Sequence, residues 1–258
     1  MNLQLDGKTA LVTGSTGGIG LAIATALAAE GASVIVNGRT QERVDAAIEK
    51  SGAAHGIAAD LGAESGARAV TARFPEVDIL VNNLGIFEPK PFEEISDEDW
   101  RRFFEVNVLS GVRLSRHYLG LMKRKNWGRI VFISSESALQ IPVEMIHYGM
   151  TKTAQLAISR GLAETTTGTG VTVNAVLPGP TASEGVNQFV DDLAKTQGID
   201  RGSFEHQFFS KARPSSIIQR FEAPEEVAAL VAFVCSPLAS AINGAALRVD
   251  GGVVRSIA

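Results

Sequence analysis

Within residues 147–152, HYGMTK, a phenol and an amine stand at positions i and i+4, Tyr148 and Lys152. On a helix such a pair shares one face. A free tyrosine has a pKa of ~10 and is a poor proton donor or acceptor near neutrality. A neighbouring ammonium favours the phenolate, and any further positive charge brought by a bound group would reinforce it. Tyr148 could then protonate a ketone oxygen during reduction, or take the proton from an alcohol during oxidation. The segment FISSES lies just upstream, and a serine hydroxyl from it could hold the same oxygen as charge develops there. Tyrosine and lysine at this spacing also occur on many solvated helix faces, so the pair gains meaning only from its surroundings.

The second candidate is TGSTGGIG, residues 13–20, which follows a β-like run and opens a helix-like one. Glycines there let the backbone approach a pyrophosphate, and free N–H groups at the helix start attract its charge. The spacing departs from GxGxxG. Its blander reading is a tight βα turn. Such a dinucleotide site reads the adenosine ribose at the end of the second strand, where an acid suits a free 2′-hydroxyl and an arginine a 2′-phosphate. The chain has VNGRT at 36–40, with Asn37 and Gly38 where an acid might sit and then Arg39. A guanidinium can bind phosphate through paired hydrogen bonds, so NADP(H) is favoured over NAD(H). The alternative is that Arg39 caps the next helix or stacks on adenine.

These residues need a scaffold, and its elements are legible. Short apolar runs at 9–13, 33–37, 56–60, 78–82, 129–134, 171–176 and 245–249 read as strands buried on both faces, as in a parallel sheet. Ile19, Ile23 and Leu27 mark an amphipathic helix that Gly31 can end. Further helices are expected over 40–50, 96–125, 148–167 and 224–235. Ser96 reads as an N-cap with acids in the first turn, and Pro224 as a first helical residue, so both acidic clusters are caps and not acid–base pairs. The expected fold is α/β, a single-domain Rossmann-type doubly wound parallel sheet of about seven strands with helices on both faces, spanning 1–258. Residues 180–222 break the pattern, with Phe189, Phe204, Phe208, Phe209 and Phe221 amid charges. That segment reads as a substrate-covering lid or as a helical subdomain or oligomer contact.

Composition narrows the classes. With 45% hydrophobic and 20% charged residues, the chain can bury a substantial core, and its net charge of -4 argues against a nucleic-acid partner. The basic run KRK, 123–125, fits the last turn of a helix that Gly128 can stop. Cys235 is the single cysteine, which fits a reducing, cytoplasmic compartment. No targeting segment or membrane span is read. The four histidines form no metal-ligand pattern, and no GxSxG elbow supports a hydrolase. His147 should point away from the cleft that Tyr148 faces.

Taken together, Thr13, Gly14, Gly18 and Gly20, the segment NNLG at 82–85, and Tyr148 with Lys152 resemble the short-chain dehydrogenase/reductase family over essentially the whole chain. The resemblance implies a catalytic set of Asn107, Ser135, Tyr148 and Lys152. The family serine lies thirteen residues before the tyrosine, which selects Ser135 and leaves Ser134 a structural role. Asn107 would hold a water linking Lys152 to solvent. Cofactor contacts are implied at Thr13, Gly14, Ser15, Thr16, Gly18, Ile19, Gly20, Arg39, Asp60, Leu61, Asn83, Gly85, Tyr148, Lys152, Pro178, Gly179, Thr181 and Ser183. Leu84 replaces a small residue and could crowd the turn beneath the cofactor. Either Thr181 or Ser183 would meet the carboxamide. The resemblance further implies a small carbonyl or alcohol substrate, a homo-oligomer (dimer or tetramer), and a general form closest to 3-oxoacyl-acyl-carrier-protein reductases and carbonyl reductases. A sugar or polyol dehydrogenase, and a cofactor-binding protein without turnover, are the alternatives.

Overall fold

Seven strands form one parallel sheet: β1 (Thr9–Val12), β2 (Ser33–Gly38), β3 (His55–Ala58), β4 (Ile79–Asn82), β5 (Gly128–Ile133), β6 (Val171–Pro178) and β7 (Ala246–Val249). All seven coincide with the apolar runs. This computed structural model describes residues 2–257, apart from the side chains of Gln188, Phe189, Asp192, Leu193 and Gln197. Phe189, expected among the aromatic residues of 180–222, therefore lies outside the described side chains. The strand order is β3-β2-β1-β4-β5-β6-β7, with every neighbouring pair parallel. The chain reverses its direction of winding between β1 and β4, so loops diverge there and leave a crevice at the carboxyl ends.

Alternation along each strand divides the core in two. Ala10 and Val12 of β1 face one cluster with Ile23, Leu27, Val44 and Val231, while Leu11 faces the other with Val70, Leu114, Tyr118 and Met122. Helices α1 (Gly18–Ala29), α2 (Gln41–Ser51) and α9 (Pro224–Cys235) supply the first face. Helices α3 (Glu64–Arg73), α5 (Ser110–Lys125) and α6 (Ile146–Glu164) supply the second. Two further helices, α7 (Glu184–Gln197) and α8 (Arg201–Lys211), occupy the 180–222 segment.

Three expectations are corrected. The helix expected over 96–125 is α4 (Asp97–Phe104), a π-helical turn at Glu105–Leu109 and then α5. Such a turn inserts an extra residue and re-aims side chains, often at functional sites; Asn107 lies in it. The helix expected over 148–167 ends at Glu164, because Thr165, Thr166 and Thr167 turn their hydroxyls back onto the carbonyls of Leu162, Ala163 and Glu164. The helix before β5 is stopped by Asn126 in the left-handed region (φ 53°), not by Gly128, which opens the strand. Ser96 caps α4 as expected, in a reciprocal box with Asp99.

Candidate active site

The predicted site residues gather at the carboxyl ends of β1, β4, β5 and β6. After β1, Gly14 and Gly18 take φ of +59° and +54°, conformations that disfavour any side chain. Gly17 makes no side-chain cap, so the first N–H groups of α1 remain free for an anion. A dinucleotide pyrophosphate fits this cradle. Ser15 does not face it, since its hydroxyl donates to Val12 O (2.7 Å) and accepts from Asn37 N (2.9 Å). Thr13 is also inward, with Oγ1 accepting from the backbone N–H groups of Asn83 (2.9 Å) and Leu84 (3.0 Å). These two residues shape the turn.

At the end of β2, Asn37 is buried and ties three strands, accepting from Gly14 N (3.2 Å) and donating to Ala59 O (3.0 Å). Gly38 has no room for a side chain, because a Cβ would meet Thr16 Cγ2 at 2.3 Å. Arg39, exposed, is therefore the first side chain beyond β2 able to reach a ribose. The structure adds Arg43, paired at 3.5 Å with Glu184, whose carboxylate lies against Gly17. Asp60 is exposed and accepts from Gly62 N (2.9 Å), whereas the Leu61 side chain sits in the core.

On the other side, Asn83 donates to Thr13 O (2.9 Å) and Gly14 O (3.0 Å), and Gly85 lies beneath Lys152 Nζ. Leu84 does not crowd the turn as expected. Its side chain packs on the second core, in space left by the missing Cβ of Gly14. Pro178 ends β6, and Gly179 N donates to Val249 O (2.7 Å) and Glu222 Oε2 (3.3 Å). Thr181 is buried and donates to Gly179 O (2.9 Å), while Ser183 caps α7 and touches Gly18. Glu222, which no sequence motif marks, is 2% exposed, and burial above all pushes its carboxyl up to about 8.

Beyond β5, Ser134 Oγ donates to Lys152 O (2.9 Å), locking the strand end to α6. Ser135 and Tyr148 meet in one cavity wall. Lys152, 4% exposed, donates to Ile133 O (2.9 Å) and Gln155 Oε1 (3.4 Å), with its Nζ 5.5 Å from the Tyr148 ring centroid. The chain's own groups do not acidify the phenol; the expected acidification joined Lys152 to the positive charge of a bound nicotinamide ring. Burial first, and the Glu136 charge second, push Tyr148 above its ordinary value, opposed by a Ser135 hydrogen bond and the Arg213 charge. Burial lowers Lys152 itself to about 8. His147 points away, as expected, its ring 4.0 Å from that of Phe103.

The Asn107 side chain is held by its neighbours: Oδ1 accepts from Ile86 N (2.7 Å), and Nδ2 donates to Ile86 O (2.9 Å) and Thr151 Oγ1 (3.0 Å). Its carbonyl accepts from Gln155 Nε2 (2.6 Å). Gln155 thus bridges Lys152 and the Asn107 carbonyl, a contact that was not expected from the sequence. Its place one turn beyond Lys152 was the available signal.

A cavity of about 440 Å³ joins the glycine turn to the end of β5 and the start of α6, running from Ile19 and Pro178–Thr181 to Ser135 and Tyr148. Among the described residues, no group of three or more His, Cys, Asp or Glu is placed to hold a metal. A family model of short chain dehydrogenases matches residues 8–194. The chain belongs to the short-chain dehydrogenase family. It is 54% identical to uncharacterized oxidoreductase YvaG of Bacillus subtilis (strain 168), with 100% of each chain covered. It is 36% identical to D-beta-hydroxybutyrate dehydrogenase of Cupriavidus necator over 97% of this chain and 99% of that one. In structure it resembles L-sorbose reductase from Gluconobacter frateurii complexed with NADPH and L-sorbose, with a TM-score of 0.93 and 32% identity over 100% of both chains. As a member of this family it is an NAD(P)-dependent oxidoreductase, in keeping with the uncapped glycine turn.

Proposed function

We propose that the chain interconverts a ketone and a secondary alcohol with NADP(H), reduction being the cellular direction. When bound, the nicotinamide supplies or accepts the hydride. Tyr148 gives the substrate oxygen its proton in reduction and takes it back in oxidation, and Ser135 holds that oxygen. Lys152, lowered by burial to about 8 and still mostly protonated at neutral pH, stands ready to restore the phenol's proton. Arg39 engages a 2′-phosphate at a strand end that carries no acid. The segment 180–222 acts as the lid, and a homo-oligomer rests on the family resemblance. No helix among the described residues is long and apolar enough to cross a membrane.

One observation carries this reading: a single cavity connects the glycine turn to Ser135 and Tyr148. Its wall includes Phe87, Val186, Val190, Phe204, Phe208 and Phe221, which favours an apolar carbonyl, a simple ketone or a 3-oxoacyl group. The likeness to a sorbose reductase favours a second reading, a sugar or polyol substrate. Purified protein with NADPH, ethyl acetoacetate, longer 3-oxo esters and L-sorbose separates the two. Tyr148→Phe should reduce turnover by about 10²–10⁴-fold, and unchanged turnover in that variant would refute the assigned acid. Tight NADPH binding without turnover on a broad panel of ketones would leave a cofactor-binding protein.

A further inference from the structure

A buried charged chain joins the 180–222 segment to the catalytic wall. Glu136, which directly follows Ser135, is 4% exposed. Its Oε2 accepts from the Ser135 hydroxyl, from Ser137 N (2.7 Å) and from Ser137 Oγ (2.9 Å). Its Oε1 accepts from Arg213 Nε (3.0 Å). Arg213 stands just past α8 and is 8% exposed; its Nη1 donates to Glu144 Oε1 (3.1 Å), in the turn before α6, and to Ala212 O (2.8 Å). Glu136, Glu144, Arg213, Ser135 and Tyr148 all line the same cavity.

Stability alone does not account for this arrangement. Desolvating a carboxylate and a guanidinium costs about what their attraction returns, and an apolar pair of similar volume would hold the helix as well. What the pair adds is geometry and charge at the reacting end of the cleft. We infer that Arg213 is a positioning residue that ties the seating of the lid to the proton chemistry: with α8 docked, its guanidinium fixes Glu136, Glu136 fixes the Ser135 hydroxyl, and the two opposite charges balance beside Tyr148. The inference rests on the proposed lid and on Tyr148 as the acid.

Among the described residues, the charges facing Tyr148 are few. Glu136 and Arg213 act on it from the lid side, with Glu144 behind Arg213, and Lys152 lies one turn along α6. Asp99, Glu88, Arg102 and Lys90, from α4 and the loop before it, act instead on His147. Glu136 disfavours the phenolate and Arg213 favours it. Removing either one loosens the same contact, yet displaces the tyrosine in opposite directions. A purely structural pair would not behave so.

The experiment compares Arg213→Met, Glu136→Gln, the double variant and Arg213→Lys with the wild type. Amide exchange is read by mass spectrometry over α7 and α8 in the NADPH complex. Both single variants should speed exchange there, and the double variant no more than either one. The second readout is the pH profile of NADP⁺-dependent oxidation of ethyl 3-hydroxybutyrate, whose rate rises with the phenolate fraction. The profile should move to higher pH in Arg213→Met and to lower pH in Glu136→Gln, and return near the wild-type position in the double variant. At one pH on the rising limb each displacement is about threefold to tenfold, one pH unit being about tenfold. Arg213→Lys keeps the charge and should hold the profile while exchange still quickens. Unchanged exchange in both single variants overturns the inference, as do profiles that stay still or move the same way. If the wild type does not oxidise the ester, the proposed activity for that substrate falls and the exchange data alone decide the latch.

Discussion

Glu222→Gln tests how far burial governs the loop that follows β6. Glu222 Oε2 accepts from Gly179 N, while Oε1 is buried and has no hydrogen-bond partner among the described residues. The loop itself is held by backbone bonds, Glu222 N to Pro180 O (2.8 Å) and Ala182 N to Glu222 O (2.8 Å), and glutamine keeps an acceptor for Gly179. Burial first, then the charges of Asp250, Glu226 and Glu136, raise the carboxyl from 4.5 to about 8 against the pull of Gly179 N–H. Between those values the folded chain binds more protons than the unfolded one, so stability is fully present below about 4.5 and is lost as pH rises through about 8. At about 1.36 kcal/mol per pH unit the loss is at most about 5 kcal/mol. Water entry and side-chain rearrangement reduce it to about 2–4 kcal/mol. Urea unfolding of both proteins at about pH 5 and about pH 8.5 measures it. Glu222→Gln should gain about 2–4 kcal/mol on the wild type between the two conditions. Taking the difference cancels His147, whose pKa is lowered by burial and whose contribution therefore runs the other way. Parallel pH dependence in the two proteins would refute the reasoning.

Two further substitutions probe the cofactor end. Thr13→Ala removes the oxygen that accepts from Asn83 N and Leu84 N and leaves two donors without it, at a cost of about 2–3 kcal/mol, or about 4–10 °C in melting temperature. Thr13→Ser, which keeps the hydroxyl, should lose less than half as much, and a Thr13→Ala protein melting with the wild type would show those bonds to be immaterial. Arg39→Ala should lower the ratio of NADPH to NADH efficiency by about tenfold or more, as expected for one charge-assisted phosphate contact. Steady-state rates with both cofactors decide it, and equal use of both by the wild type counts against the assignment.

The amino-acid sequence by itself determined the seven strands, because residues buried on both faces of a parallel sheet must be apolar throughout, and that pattern survives in one dimension. It also determined the glycine turn and the shared face of Tyr148 and Lys152, whose spacing is local. Only the tertiary structure decided what lies against them. Glu136 looks like an ordinary residue after a strand until Arg213, far along the chain, closes on it. Asn37 stood in the sequence where a ribose-binding acid might be, but the fold turns it inward to join three strands. Leu84 fits only because Gly14 lies against it, and Gln155 matters only because the π-helical turn brings the Asn107 carbonyl to its amide. The electrostatics changed for the same reason. A phenol beside an amine is acidic when the amine is charged and near, whereas burial raises the one and lowers the other. Desolvation depends on every atom packed around a group, and that sum exists only once the chain has folded.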